Sequence, residues 1–214
     1  MKKFFTVVIL ALTTLSINAQ DFKTFRFGPT AGLNVAKATN LDDASMVIGF
    51  NVGARADYNF NDNCYLGGAL LFTQKGYKVK NHILLGGKDM KTNPYYIEIP
   101  INAGYRYNFN DKVSVFGEFG PYVAFGIGGK YKAEGYESGK FFGDEGTINA
   151  TYLLAGGTTV ITPKRVDFGL TFAAGVEISK FQVRVGYELG LTNVYSGAGS
   201  CKNRNLFAGL SYMF

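Results

Sequence analysis

Large apolar residues alternate with small or polar residues in stretch after stretch of this 214-residue chain. A period of two residues is typical of β-strands, whose successive side chains point to opposite faces of a sheet. No segment needs helical spacing to explain its pattern. The alternation is strongest over 48–60, 95–109, 166–178, 181–189 and 205–214, and it is weaker over 25–36, 64–76 and 113–128. We therefore predict eight strands.

The two faces of these strands differ in a way that indicates a membrane protein. One face is nearly all aliphatic or aromatic, whereas the charged residues lie on the other face together with many glycines. The strands run for about 10 to 14 residues, close to the length of a tilted strand that crosses hydrocarbon. A closed barrel with a polar interior and an apolar exterior pairs every backbone group and has no sheet edge. We predict an all-β, eight-stranded antiparallel up-and-down transmembrane β-barrel; the soluble alternative is a lipocalin-like barrel with an apolar interior.

The first segment, 1–19, has the order of a secretory signal peptide. Two lysines precede about a dozen apolar residues, and a small residue, Ala19, ends the segment. The apolar stretch is too short for a membrane anchor, and Gln20 is not a cysteine that could carry a lipid. We expect cleavage between Ala19 and Gln20, removal of 1–19, and a mature barrel domain of 20–214.

The connections between strands predict the topology. The five residues 58–62 are repeated letter for letter at 107–111, each time between two strands, and 179–180 closes a third short turn. Asn and Asp favour such turns because they tolerate positive φ and bond their own backbone. The opposite end has long connections at about 37–46, 77–93, 129–165 and 193–204. This asymmetry is typical of outer-membrane barrels, so we expect both termini and the short turns in the periplasm and the long loops outside.

The same alternation places a set of charged residues in the barrel interior. We expect four cations and six anions there: Arg26, Arg55, Arg106, Arg184, Asp57, Glu98, Glu118, Asp167, Glu177 and Glu188. The interior of an eight-stranded barrel is just wide enough for side chains to fill it. The favoured interpretation is a plug of ion pairs with arginine forks on carboxylates. The alternative is an ion path.

Composition leaves little room for other chemistry. With 2 Cys and 1 His, the chain lacks the ligands for a zinc finger or an iron–sulfur site, so we expect no cofactor. Its 22 Lys and Arg against 16 Asp and Glu are scattered, so we expect no nucleic-acid partner. His82 falls in the second long loop without a catalytic partner at a recognisable spacing. Cys64 and Cys201 fall at opposite ends of the barrel, which predicts no disulfide between them.

The second long loop is basic. Its candidate contact residues are Lys78, Lys80, Lys88 and Lys91. A solvated rim is the simpler interpretation. The alternative is contact with lipopolysaccharide head groups in the outer membrane or with a partner protein.

The last strand resembles a known assembly signal. It ends in Phe214, with Tyr212 and Leu210 on the same face, and is similar to the terminal signal read by the barrel assembly machinery. Short matches to the PorT-like outer-membrane β-barrel family, of the small OmpA/OmpX type, occur at 74–77, 97–100, 120–122, 174–177 and 189–193. The resemblance covers about 25–214. It implies barrel assembly machinery and periplasmic chaperones as partners during biogenesis.

Together these patterns predict a non-enzymatic outer-membrane protein with a structural or interaction role. The resemblance to the PorT-like family implies a link to protein secretion and a secretion-system or surface partner. The alternatives are a narrow passive channel and a lipid-modifying barrel enzyme.

Overall fold

A computed structural model describes residues 24–39, 44–82, 88–133, 139–140, 142, 152–154, 157–159, 162–196 and 200–214. No helix in this part of the chain is long and apolar enough to cross a membrane. Its strands are β1 (Phe25–Ala38), β2 (Ala44–Asn59), β3 (Cys64–Gln74), β4 (Tyr77–His82), β5 (Lys88–Asn108), β6 (Val113–Ala133), β7 (Gly139–Lys140), β8 (Tyr152–Leu154), β9 (Gly157–Thr159), β10 (Thr162–Pro163), β11 (Val166–Ile178), β12 (Phe181–Gly190), β13 (Tyr195–Ser196) and β14 (Asn203–Tyr212).

The long strands close on themselves in an antiparallel ring. Around the ring, β1 pairs with β2, β2 with β3, β3 with β5, β5 with β6, β6 with β11, β11 with β12, β12 with β14, and β14 again with β1. Strand β4 continues the line of β3 after a short break and also pairs with β2 and β5. The barrel therefore has eight strands and no free edge, which confirms the predicted fold.

Burial is the reverse of that in a soluble protein. The buried residues include many charged and amide side chains, among them Arg55, Asp57 and Glu98, each at most 1% exposed. The exposed residues include many large apolar side chains, such as Ile48 at 73% and Leu33 at 62%. The lipocalin-like alternative is wrong, because most charged strand positions face inward and the apolar face is outside.

Several predicted strand limits need correction, above all around the second long connection. The third strand stops at Gln74 rather than at residue 76, and the range 77–93, predicted as a loop, contains β4 and the start of β5. Strand β6 continues to Ala133, five residues beyond its predicted end. Because β4 pairs with both β2 and β5, backbone hydrogen bonds hold this segment as an extension of the barrel wall. His82 accordingly ends a strand and does not lie in a loop.

The repeated turn sequence forms the same structure twice. The Asn61 side-chain oxygen accepts hydrogen bonds from the backbone N–H of Asn63 and Cys64 at 2.9 and 2.7 Å. The Asn110 oxygen accepts the equivalent pair, both at 2.9 Å. In the third turn, Ser179 has a positive φ of 57°. Asn side chains thus close the first two turns as the sequence predicts.

Outward-facing aromatic rings lie near both ends of the barrel wall. At the short-turn end Tyr107 packs against Phe109, with ring centroids 5.1 Å apart. Towards the other end of β5, Tyr95 stacks on Phe72 at 5.5 Å. Tyr95 and Tyr107 are 12 residues apart. That separation is roughly 40 Å of strand, and a tilt of about 40° converts it to about 30 Å, the thickness of a hydrocarbon core.

Candidate functional site

A cluster of ion pairs crosses the barrel interior. Arg55 on β2 contacts Asp57 at 2.8 Å and Glu118 on β6 at 2.5 Å. Arg184 on β12 reaches the other oxygen of Glu118 at 3.2 Å. The two arginines come from opposite parts of the wall, so Glu118 joins strands that are not neighbours. Removing any one of these groups would leave a buried charge with fewer opposite charges around it.

A second group of charges lies nearer the short-turn end. Arg26 donates to both oxygens of Glu177, at 2.5 and 3.0 Å, a two-pronged geometry that favours arginine. Arg106 approaches Glu177 at 3.3 Å. The Gln182 amide donates to Asp57 and Glu177 at 3.0 and 2.9 Å and connects the two groups. Gln182 was not among the predicted interior residues. It lies two positions before Arg184 on β12, so the alternation of the strand could have placed it on the inner face.

Lys75 is the residue that sequence reasoning missed most clearly. It lies in the break between β3 and β4, only 1% exposed, and its ammonium contacts the Glu98 carboxylate and, at 2.7 Å, Glu188. The same ammonium is 4.5 Å from the centre of the Tyr122 ring. Glu98 and Glu188, both predicted for the interior, therefore share a cation that was not among the predicted interior residues, although Lys75 lies two positions after the buried Thr73.

Asp167 is held by neutral groups. Its oxygens accept hydrogen bonds from Tyr122 at 3.2 Å, Asn203 at 2.9 Å and Thr192 at 3.1 Å. Within the described part of the chain it forms no ion pair, unlike the other predicted interior carboxylates. With Asp167 included, the structure brings the ten predicted residues into the interior, where all are buried except the half-buried Arg26.

Apolar residues form a buried cluster in the end of the barrel that carries the long connections, next to the charged part of the lumen. Phe142, Val194 and Tyr195 come from those connections and are buried against inward residues of the wall such as Tyr96. Phe142 meets Tyr96 edge to face with ring centroids 5.7 Å apart, and the Tyr195 and Tyr77 hydroxyls are hydrogen-bonded. We call the buried cluster around Phe142 the apolar cap. The sequence indicates it by the large apolar residues in the long connections.

Two interior glycines are needed because aromatic rings lie against them. A Cβ at Gly104 would overlap the ring of Tyr65, its direct neighbour across the β3–β5 pair. A Cβ at Gly126 would overlap the ring of Phe142. The glycines of the inner face thus provide room for the Tyr65 ring from the neighbouring strand and for the Phe142 ring from the apolar cap.

One small cavity inside the barrel lies among the polar side chains. A cavity of about 30 Å³ is lined by Asn34, Asn51, Thr73 and neighbouring charged residues. Such a volume is on the order of that of one water molecule. At the short-turn end, a larger depression of about 710 Å³ contains Arg26 and Arg106 and opens to the surroundings.

The predicted loop contacts lie on a hairpin and not in a loop. Lys78 and Lys80 are on β4, and Lys88 and Lys91 are on β5. Lys78 forms a half-exposed ion pair with Asp89 at 2.7 Å, and Lys91 is exposed.

The cysteines and the C-terminus complete the predicted positions. Cys64 and Cys201 are free thiols, the first exposed and the second buried, and burial raises the pKa of the Cys201 thiol to about 11.

Leu210 and Phe214 are about half exposed on the apolar face, and the Phe214 N–H donates to the backbone oxygen of Phe27 at 2.8 Å. The predicted cleavage site at Ala19 and Gln20 lies outside the described residues. No group of three or more metal-ligating side chains forms within the described residues.

A closed antiparallel ring with an apolar outside and a charged inside defines the class of transmembrane β-barrels. Residues 18–196 match the family described as outer membrane protein beta-barrel domain, and the chain belongs to this family. It is an outer-membrane protein. No curated protein sequence matches it significantly.

Solved structures similar to this chain include small outer-membrane barrels. Ail of Yersinia pestis is 18% identical with a TM-score of 0.43, over 89% of this chain and 99% of that one. Neisserial surface protein A is 17% identical with a TM-score of 0.45, over 89% and 97%. The N-terminal barrel of Pseudomonas aeruginosa OprF is 10% identical with a TM-score of 0.39, over 86% and 97%. These similarities concern the fold alone.

Proposed function

We propose that this protein is a non-enzymatic barrel that does not conduct ions and that acts through the end carrying its long connections. The observation that carries the proposal is the two-layered interior. Ion pairs such as Arg55–Glu118 cross the lumen at one level, and the apolar cap around Phe142 lies above them. A small solute would have to break buried ion pairs and then displace packed rings to pass. Both steps are costly.

The proposed orientation places the long connections outside the cell. It rests on the predicted signal peptide of 1–19 and on the usual asymmetry of these barrels, in which the short turns are periplasmic. Three tight turns lie at one end together with the C-terminus, because Met213 N–H donates to Lys180 in the third turn at 2.7 Å. The segments that contribute Phe142 and Tyr195 then face the medium.

The proposed role is an interaction linked to protein secretion. Its support is the resemblance of short segments, such as 74–77 and 97–100, to the PorT-like family. One of these segments contains Lys75 and another contains Glu98, which form an ion pair in the interior. The shared motifs therefore include residues that hold the barrel together, and the partner surface would lie in the connections outside them.

The experiment that tests this role is a comparison of culture supernatants. A strain that lacks the gene, its parent and a complemented strain are grown in parallel, and their secreted proteins are quantified. Loss of many secreted proteins that returns on complementation supports the role. A supernatant unchanged by the deletion contradicts it.

The two rival functions are separated by other measurements. A narrow passive channel would show stepwise current in a planar bilayer, whereas the filled lumen proposed here would not. A lipid-modifying enzyme would change the mass spectrum of lipid A between the deletion strain and its parent. We propose that this spectrum is the same in both strains.

A further inference from the structure

We propose that the outer face of β4, β5 and the end of β6 binds the phosphorylated head group of an anionic glycolipid in the outer leaflet. The proposal rests on the orientation given under the proposed function. It concerns a surface on the side of the barrel that faces lipid, separate from the lumen. The surface is called the lysine ladder here and comprises Lys78, Lys91, Lys130 and Lys132.

Backbone register places three of these lysines in one row. Lys78 on β4 pairs directly with Lys91 on β5, and Lys91 pairs directly with Lys132 on β6. Directly paired residues of antiparallel strands project from the same face, with Cβ atoms about 5 Å apart. That face is the outer one, because Tyr77 and Val79 on either side of Lys78 are buried.

A bulge in β6 is what turns its two lysines outward. Phe125 and Ile127 are exposed at 46% and 51%, so strict alternation would point Lys130 and Lys132 into the barrel. Instead the register shifts opposite Tyr95 and Tyr96, and Gly129 adopts a φ of 141°. Bulges commonly re-aim side chains in this way. Both lysines are exposed as a result.

Among the described residues, the lysine ladder carries more positive charge than neighbouring carboxylates neutralise. Lys78 pairs with Asp89 at 2.7 Å. Within the described residues, the other three lysines form no ion pair. Like charges that face each other across strands repel and destabilise the pair. An anion with several oxygens would relieve that repulsion for three lysines at once, and phosphate has this chemistry.

The height of the ladder fits a lipid head group. Tyr95 stacks on Phe72 at 5.5 Å in the aromatic belt that marks the membrane interface. Lys91 lies four residues beyond Tyr95 on the same face, which corresponds to about 10 Å above the belt for a tilted strand. Lys130 follows three residues after the exposed Ile127. The ammonium groups thus lie beside the lipid, at the level of phosphates rather than of acyl chains.

The test uses the full chain refolded in neutral detergent and purified lipopolysaccharide as the probe. The variant combines Lys91→Gln and Lys132→Gln, and the matched control combines Lys112→Gln and Lys180→Gln, two exposed lysines at the short-turn end. Each lysine near an anionic lipid surface contributes roughly fivefold in affinity. We expect binding about 25-fold weaker for the ladder variant and within about twofold of the parent for the control. Circular dichroism verifies that both variants fold.

Two further arms identify the ligand. Lipopolysaccharide stripped of its phosphates is expected to bind the parent as weakly as the intact glycolipid binds the ladder variant. Excess inorganic phosphate is expected to leave the bound glycolipid in place. Equal affinities of parent and ladder variant, or of intact and stripped glycolipid, would overturn the proposal, as would displacement by free phosphate. Because binding is measured on isolated protein, these outcomes do not depend on orientation or on any role in secretion.

Discussion

Arg55 donates a 2.5 Å hydrogen bond to Glu118 although two strands separate β2 from β6 around the wall. The bond therefore spans the lumen. Arg55 also contacts Asp57 at 2.8 Å, and all three groups are at most 5% exposed. The pair connects distant parts of the barrel wall and is shielded from solvent.

Replacing Arg55 is expected to destabilise the barrel strongly. Arg55→Met would leave the Glu118 and Asp57 carboxylates buried with fewer cations, at a cost of about 3–5 kcal/mol in the free energy of unfolding. Urea unfolding of the refolded chain measures it. The exposed Lys112→Met serves as the control and should change stability by no more than about 0.5 kcal/mol. Equal, small effects of both substitutions would show that the lumen is not held by these charges.

Gly104 is expected to tolerate no side chain while Tyr65 is present. Gly104→Ala would overlap the Tyr65 ring and cost about 1–3 kcal/mol. In a Tyr65→Ala background that cost should vanish, which a double-mutant cycle detects. Gly68→Ala is the matched control, because a Cβ there meets only a backbone oxygen at 3.7 Å. The same penalty in both backgrounds would refute the close contact between ring and backbone.

The two thiols are expected to differ in reactivity and in accessibility. In the folded protein a maleimide should modify the exposed Cys64 and leave Cys201 unmodified, and unfolding should release the second thiol. Burial raises the pKa of Cys201 to about 11, so at neutral pH its reactive thiolate is scarce and increases only as the pH rises.

The orientation can be measured with the same thiol. A maleimide on a polymer too large to cross the outer membrane should not modify Cys64 in intact cells and should do so after permeabilisation. Modification in intact cells would place the short turns outside and contradict the proposed orientation. A Cys64→Ser variant controls for reaction elsewhere.

Phe214 is expected to matter for assembly more than for stability. Phe214→Ser should reduce the protein in the outer-membrane fraction severalfold and leave refolding of the purified chain in detergent intact. Phe60→Ser is the matched control, since Phe60 is also an exposed aromatic near the short-turn end, at 63%. If both substitutions lower the abundance equally, the C-terminal residue carries no special signal.

Alternation was the main guide to the barrel because each wall position has only two environments, lipid and lumen. Charged side chains such as Arg55 and Glu98 cannot face the lipid hydrocarbon, so the strand positions that they occupy identify which residues point into the lumen. Lys130 and Lys132 lay beyond the predicted strand of 113–128, and extending the alternation to them would wrongly point them inward, because a bulge opposite Tyr95 and Tyr96 shifts β6 by one residue. A one-residue shift of this kind leaves no mark in a period-two pattern.

Contacts between residues far apart in the chain could not be predicted from the sequence pattern either. Lys75 falls within the predicted third strand of 64–76 and was not placed among the interior residues, and only the closed ring brings it to Glu98 and Glu188. Phe142 lies in a long connection and is buried because Gly126 leaves room for its ring. Such pairings depend on three-dimensional closure and not on local pattern.

We propose that ion pairs and the apolar cap close the lumen, and planar-bilayer recording of the purified full chain is the decisive experiment. A large porin recorded under the same conditions verifies that the bilayer reports channels. We expect no stepwise current above the lipid baseline at any salt concentration used. Stable conductance steps that grow with salt concentration would contradict it and identify the protein as a channel.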